Sequence, residues 1–304
     1  MLDKYLKMIL KAPVYDVASI TPLDFLEGIS SRLENSIWLK REDTQSVYSY
    51  KIRGAYTLMA SLDSNLRAKG VIAASAGNHA QGVALSAKSL GMVATIVMPK
   101  TTPEIKIKSV RRLGGRVILH GDNYDEASSH AQEIASKNNL VMIPPYDDPH
   151  VIAGQGTVGM EILQQSKEEL DAIFVPVGGG GLIAGISVYI KSLSPMTKII
   201  GVEPEEAPSM SSALDEGRPV TLKKVGIFAD GAAVKRVGDL TFELAEKYVD
   251  EVLCVSNDEI CAAIKDIYED TRSISEPAGA LALAGVKQYV LQKNNRGKKY
   301  AAIC

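Results

Sequence analysis

Short apolar runs alternate with helical patterns along most of this 304-residue chain. The runs at 37–40, 71–74, 94–98, 116–119, 172–177 and 198–203 read as strands, several of them apolar at nearly every position. Between them, apolar residues recur at helical spacing and predict helices over about 79–90, 103–113, 124–137 and 152–165. Thr102 is a candidate N-cap for the second of these, with Pro103 in its first turn. Strands without polar alternation, separated by helices, imply parallel sheets covered on both faces, which is an α/β class. The turn-rich Pro144-Pro145-Tyr146-Asp147-Asp148-Pro149 is a candidate boundary between two α/β units, and 204–234 reads as irregular.

Candidate chemistry collects where strands run into helices. SVYSYKIRGAY, residues 46–56, follows a strand and opens a helix with Lys51 in its first turn. The helix macrodipole disfavours a cation there. Lys51 is thus either a solvated surface lysine or a residue with a chemical task, and this stretch alone leaves both open.

Three further turns have the same setting. Gly178-Gly179-Gly180-Gly181-Leu182 lies between a buried run and a helix. One glycine would serve a tight turn, whereas four leave backbone N–H groups uncovered for an anion such as phosphate. The same residues satisfy a dinucleotide fingerprint through Gly179, Gly181 and Ala184, with Glu203 as the ribose-binding acid, so an NAD-binding oxidoreductase is a competing reading. Ser75-Ala76-Gly77-Asn78-His79 offers backbone donors suited to a carboxylate, although taken by itself the turn is better explained as a plain helix cap by Ser75 or Asn78. Ser275-Glu276-Pro277-Ala278-Gly279 puts an acid before an alanine-rich helix, either to complement the dipole or to serve a site.

Composition narrows the classes. The formal net charge of −2 gives no electrostatic case for nucleic acid or an anionic membrane. Cys254, Cys261 and Cys304 form no CxxC pair, and sparse cysteine points to a reducing compartment. His79, His120, His130 and His150 are scattered without HExxH, so no metal site is expected. The N-terminus lacks the apolar core of a signal peptide, and no run approaches the roughly 18 apolar residues of a membrane span. A cytoplasmic protein is the expectation.

Taken in order, Lys51, SAGNHAQG, GGGGL and EPAGA resemble the fold-type II pyridoxal-phosphate enzymes, and in particular the threonine dehydratase (threonine deaminase) family. The resemblance runs through APVYDVASITPL, KRED, SYKIRGAY, ASAGNHAQG, PPYDDPHVIAGQGT, VPVGGGGLIAG and ISEPAGALALAG, with wording closer to the biosynthetic branch. It implies two three-layer αβα domains with mostly parallel sheets: a large cofactor-binding domain of 1–51 plus 146–304, and a small domain, 52–145, inserted in it. It implies that Lys51 carries pyridoxal 5′-phosphate covalently and acts as base, which would relieve the helix-end charge. It assigns the 5′-phosphate to Gly178, Gly179, Gly180, Gly181 and Leu182, the ring hydroxyl to Asn78, and the substrate carboxylate to Ser75, Ala76 and Gly77. The implied reaction converts L-threonine to 2-oxobutanoate and ammonia, and L-serine to pyruvate, as the first step of isoleucine biosynthesis in a homodimer or homotetramer.

Two departures stand out. Tyr50 replaces the family's usual Phe before the lysine. The chain ends at Cys304, which suggests a catalytic portion without the C-terminal regulatory region, the cap for the pyridine nitrogen lying beyond Cys304 or being Cys304 itself. Serine racemase shares most motifs but has Ser where this chain has Ala76, which favours elimination here. The cation site of some relatives maps to Glu203 and Ala207, but Ser209 stands where an acid would help, and Glu203 is expected in a structural salt bridge.

Overall fold

A computed structural model gives the fold of residues 1–304. Its strands are β1 (Leu23–Phe25), β2 (Ser36–Lys40), β3 (Val71–Ala74), β4 (Ala94–Met98), β5 (Arg116–Leu119), β6 (Val141–Met142), β7 (Ala172–Pro176), β8 (Lys198–Pro204), β9 (Glu251–Val255) and β10 (Lys299–Ile303). The helices are α1 (Leu2–Leu10), α2 (Glu27–Leu33), α3 (Lys51–Ser61), α4 (Ser64–Lys69), α5 (Asn78–Ser89), α6 (Glu104–Arg112) and α7 (Tyr124–Asn138). After the crossover follow α8 (Pro149–Gln165), α9 (Gly181–Leu193), α10 (Ser209–Glu216), α11 (Asp239–Tyr248), α12 (Asn257–Thr271) and α13 (Pro277–Lys293). They form a six-stranded sheet, β1-β2-β10-β7-β8-β9, and a four-stranded sheet, β5-β4-β3-β6. Every pairing is parallel except β1 with β2.

Strand periodicity divides the large core in two. Along β7, Ile173 and Val175 enter one layer while Ala172 and Phe174 enter the other; along β10, Ala301 and Ile303 oppose Tyr300 and Ala302. The first layer is closed by α1, α8, α9 and α11, the second by α2, α12 and α13. Each large apolar side chain buried this way is worth roughly 1.5–3 kcal/mol. The small sheet is covered likewise, by α3, α5 and α6 on one face and by Ala127 and Ala131 of α7 on the other. In both sheets the functional turns leave the carboxyl ends of strands, Ser75 after β3 and the glycines after β7.

Three local expectations change. Thr102 does not cap α6: Pro103 holds the N-cap position, and the Thr102 hydroxyl is buried without a hydrogen-bond partner. Helix α8 begins at Pro149 rather than near 152, because the Asp148 carboxylate accepts from the N–H groups of His150 (2.7 Å) and Val151 (3.2 Å). The stretch 204–234 is not wholly irregular, since it contains α10.

The start of α3 is set by a buried charge network. Lys40, Glu42, Arg53 and Glu161 are all fully buried. Arg53 donates to Glu42 through Nε and Nη2 (both 2.8 Å) and to Glu161 through Nη1 (2.6 Å), while Lys40 Nζ donates to Glu161 (2.6 Å). Tyr15, Thr21, Thr157, Gln45 and Gln165 complete the hydrogen bonds, so two cations and two anions lie in the core with their polar atoms satisfied. Burial opposes ionisation of Glu161, but Arg53 and Lys40 outweigh it and hold the carboxyl below its ordinary range. Its stabilising contribution is therefore present above the ordinary carboxylate range and lost as pH falls through the folded value. Glu161→Gln is expected to cost about 3–5 kcal/mol in urea unfolding at neutral pH, the deficit shrinking in acid as wild-type Glu161 is protonated. A deficit independent of pH would contradict this assignment.

Candidate functional site

Lys51 is the first residue of α3, and its N–H donates to Ser49 Oγ (3.3 Å). Its amine makes one hydrogen bond, donated to the carbonyl of Pro145 (3.1 Å), and lies 5.3 Å from the centre of the Tyr50 ring. No carboxylate pairs with it. Burial alone pushes its pKa down to about 8, so a sizeable neutral fraction exists near neutrality. Helix α5 packs against this turn closely enough that a Cβ on Gly82 would sit 3.1 Å from the Lys51 carbonyl.

The Ser75 turn lies at the start of α5. Gly77, not Ser75 or Asn78, is the N-cap residue, and Ser75 Oγ accepts from the Gly77 N–H (3.2 Å). Ser75, Ala76, Gly77 and Asn78 are all partly exposed. Asn78 Nδ2 donates to Glu276 Oε1 (2.6 Å), tying α5 to the N-terminus of α13. Glu276 is the α13 N-cap residue but makes no side-chain capping bond; packing around its carboxyl raises its pKa despite the Asn78 donor. His79 is buried and its Nε2 lies 2.9 Å from the carbonyl of Ile143. Burial, helped by the nearby Lys51 charge, lowers its pKa to about 4, so the imidazole is neutral and donates.

The glycine turn connects β7 to α9. Gly179, Gly180, Gly181 and Leu182 are buried, yet the N–H groups of Gly178 through Leu182 have no acceptor within the protein. Buried N–H groups are rarely left unpaired, and this cluster has the donor set that an anion would need. The Gly179 carbonyl is tied down by Thr241 Oγ1 (2.7 Å) and the Gly238 N–H (3.3 Å). Gly180 has φ +93°, which disfavours any side chain, and a Cβ on Gly179 would run into the Tyr146 ring. Tyr146 directly follows Pro145, so the residue that receives the Lys51 amine adjoins the one packed on the glycine turn. Sequence reasoning missed Pro145, Tyr146 and Thr241; the proline pair was visible only as a turn.

Glu203 forms no salt bridge, contrary to expectation. It is fully buried, and its two oxygens accept from the N–H groups of Met210 (2.7 Å) and Ser211 (2.9 Å) at the start of α10. With both oxygens inside the protein it cannot reach a ribose, which removes the acid the dinucleotide reading needs. Cys304 is buried, 3.3 Å from Ser275 Oγ, and all three cysteines are free.

The model of the family described as pyridoxal-phosphate dependent enzyme matches residues 14–304. The chain belongs to the pyridoxal-phosphate-dependent enzymes. It is 56% identical to the L-threonine dehydratase biosynthetic IlvA of Pasteurella multocida over 295 residues, 97% of this chain and 57% of that relative. The chain thus spans less than three fifths of that relative's length. The structure of the processed form of threonine deaminase isoform 2 from Solanum lycopersicum matches with a TM-score of 0.97 and 52% identity, over 99% of this chain and 88% of that one. Serine racemase from Dictyostelium discoideum matches at 0.89 and 31%, over 98% and 96%. Reductive methylation of the cofactor-free chain, read by peptide mass mapping, should give Lys51 a midpoint near pH 8 against the ordinary lysine value of 10.5. A midpoint at the ordinary value would show that its amine is not desolvated.

Proposed function

We propose that this chain converts L-threonine to 2-oxobutanoate and ammonia, by β-elimination of water and then hydrolysis of the product imine, and converts L-serine to pyruvate and ammonia by the same route. The observation that carries this reading is a buried amine without a counter-ion, Lys51, joined by Pro145 and Tyr146 to a turn of unpaired N–H groups. That donor set fits pyridoxal phosphate: five buried or partly buried N–H groups suit a phosphate, and a partly neutral lysine suits an aldehyde. Gly178, Gly179, Gly180, Gly181 and Leu182 are assigned to the phosphate, Lys51 to covalent attachment, and Asn78 to the ring hydroxyl. Ser75, Ala76 and Gly77 are assigned to the substrate carboxylate, with the free N–H groups at the start of α5 favouring the negative charge.

When bound, pyridoxal phosphate supplies an electron sink for the carbon that loses its proton. Lys51 does the proton chemistry. Its neutral amine takes the proton from Cα, and the β-hydroxyl leaves with a proton as water. The enamine that is released tautomerises and hydrolyses to the oxo acid and ammonia. Only one face of Cα meets a base: Ala76 carries no proton-bearing group to serve the other, which supports elimination over racemisation.

The same reading takes the division into a small domain, 52–145, within a large one, 1–51 plus 146–304, with the site in the cleft between. It also takes a homodimer or homotetramer in the cytoplasm, committed to the first step of isoleucine biosynthesis. The names of relatives such as the biosynthetic L-threonine dehydratase of Escherichia coli support a biosynthetic role. No helix is long and apolar enough to cross a membrane.

With added cofactor, the chain should form 2-oxobutanoate from L-threonine, and Lys51→Ala should lower turnover by about 10²–10⁴-fold. With L-serine it should yield pyruvate without D-serine. D-serine formed as fast as pyruvate would move the assignment to a serine racemase, and full turnover by Lys51→Ala would remove Lys51 from the mechanism.

A further inference from the structure

His79 has no task in the reaction as described, yet it is 4% exposed in the first turn of α5, where a plain apolar residue would fill the space. A buried imidazole is costly unless it has a partner. Its partner is the carbonyl of Ile143, at 2.9 Å. Strand β6 ends at Met142, so the ladder no longer supplies a donor to that carbonyl, and no backbone N–H reaches it. A carbonyl only accepts, so the proton is on Nε2.

Ile143 is thereby held at both ends, its N–H by the carbonyl of Ile72 (2.9 Å) and its carbonyl by His79. Next come Pro144 and Pro145, whose rings fix φ and which have no N–H to make competing bonds. The far end of this crossover is also pinned: Tyr146 Oη donates to the Arg236 carbonyl (3.1 Å), and Asp147 accepts from the N–H groups of Asp239 (3.0 Å), Leu240 (3.0 Å) and Thr241 (3.2 Å). Between the two anchors, the Pro145 carbonyl receives the only hydrogen bond that the Lys51 amine makes.

We propose that His79 is a positioning residue: through Ile143 and the rigid proline pair it sets the Pro145 carbonyl that orients the Lys51 amine. A neutral amine has two N–H bonds and one lone pair. Committing one N–H to a fixed carbonyl narrows the directions in which the lone pair can point, and so places the base for the Cα proton. A neutral His79 keeps a second positive charge away from Lys51, in keeping with its lowered pKa. This inference rests on Lys51 being the base of the proposed reaction.

The test compares His79→Leu, which keeps the volume and loses the donor, with His79→Gln, whose amide nitrogen can replace Nε2. Two readouts are taken on the full chain: the rate of reductive methylation of Lys51 without cofactor, and kcat and KM for L-threonine with it. The Leu variant should methylate Lys51 several-fold faster and lose roughly 10–100-fold in kcat, with KM changed less than about threefold; the Gln variant should restore both. A folded Leu variant with wild-type kcat and Lys51 reactivity, whatever its melting temperature, would overturn the proposal. So would a folded Gln variant as impaired as Leu. If Leu does not fold, His79→Asn takes its place, since its shorter amide cannot reach the carbonyl. Should the wild-type chain show no turnover, the functional assignment fails on its own, and the methylation rates alone still decide the role of His79.

Discussion

A lysine amine enclosed in protein without a carboxylate beside it is the constraint around which this structure is arranged. The other buried charges at the start of α3 are neutralised: Lys40 and Arg53 share Glu42 and Glu161. Lys51, two residues before Arg53 on the same helix, is left out of that arrangement and given a backbone carbonyl instead. Desolvation then acts on it unopposed, and its proton is held loosely enough for a nucleophile or base to work near neutral pH. The charge network and the lone amine are thus two parts of one device. The network fixes the helix against β2 and α8 without placing any counter-ion near Lys51.

The crossover from β6 to α8 links that amine to the rest of the site. Pro145 receives Lys51, Tyr146 packs on the glycine turn, and Asp147 caps α11. Thr241, in the first turn of α11, returns to hold the Gly179 carbonyl. The Asn78–Glu276 bond gives a second tie, between α5 and α13. The glycine turn, the Lys51 amine and the Ser75 turn therefore come from distant parts of the chain but are held in one frame.

Much of this was readable from residue order. Unbroken apolar strands such as AIFVP announced a sheet covered on both faces, and four consecutive glycines marked a strand-to-helix turn whose N–H groups have no acceptor in the protein. The misreadings share a cause: side chains whose partners lie far away in sequence. Glu203 reads as a salt-bridge residue from sequence because its partners, the first N–H groups of α10, belong to a helix that the sequence pattern does not reveal. Asp148 pulled the start of α8 forward by capping it, which apolar periodicity does not register. Pro145 entered the site through its carbonyl, and His79 through a carbonyl 64 residues away. Backbone acceptors carry no residue signature, so no sequence pattern marks them.

The central claim is that Lys51 is the one lysine that captures the cofactor. Borohydride reduction of the full chain loaded with pyridoxal phosphate, followed by peptide mass mapping, tests it directly. One reduced adduct is expected, on the peptide containing Lys51, and none in Lys51→Ala. Label spread over surface lysines, or an adduct that survives the substitution, would contradict it.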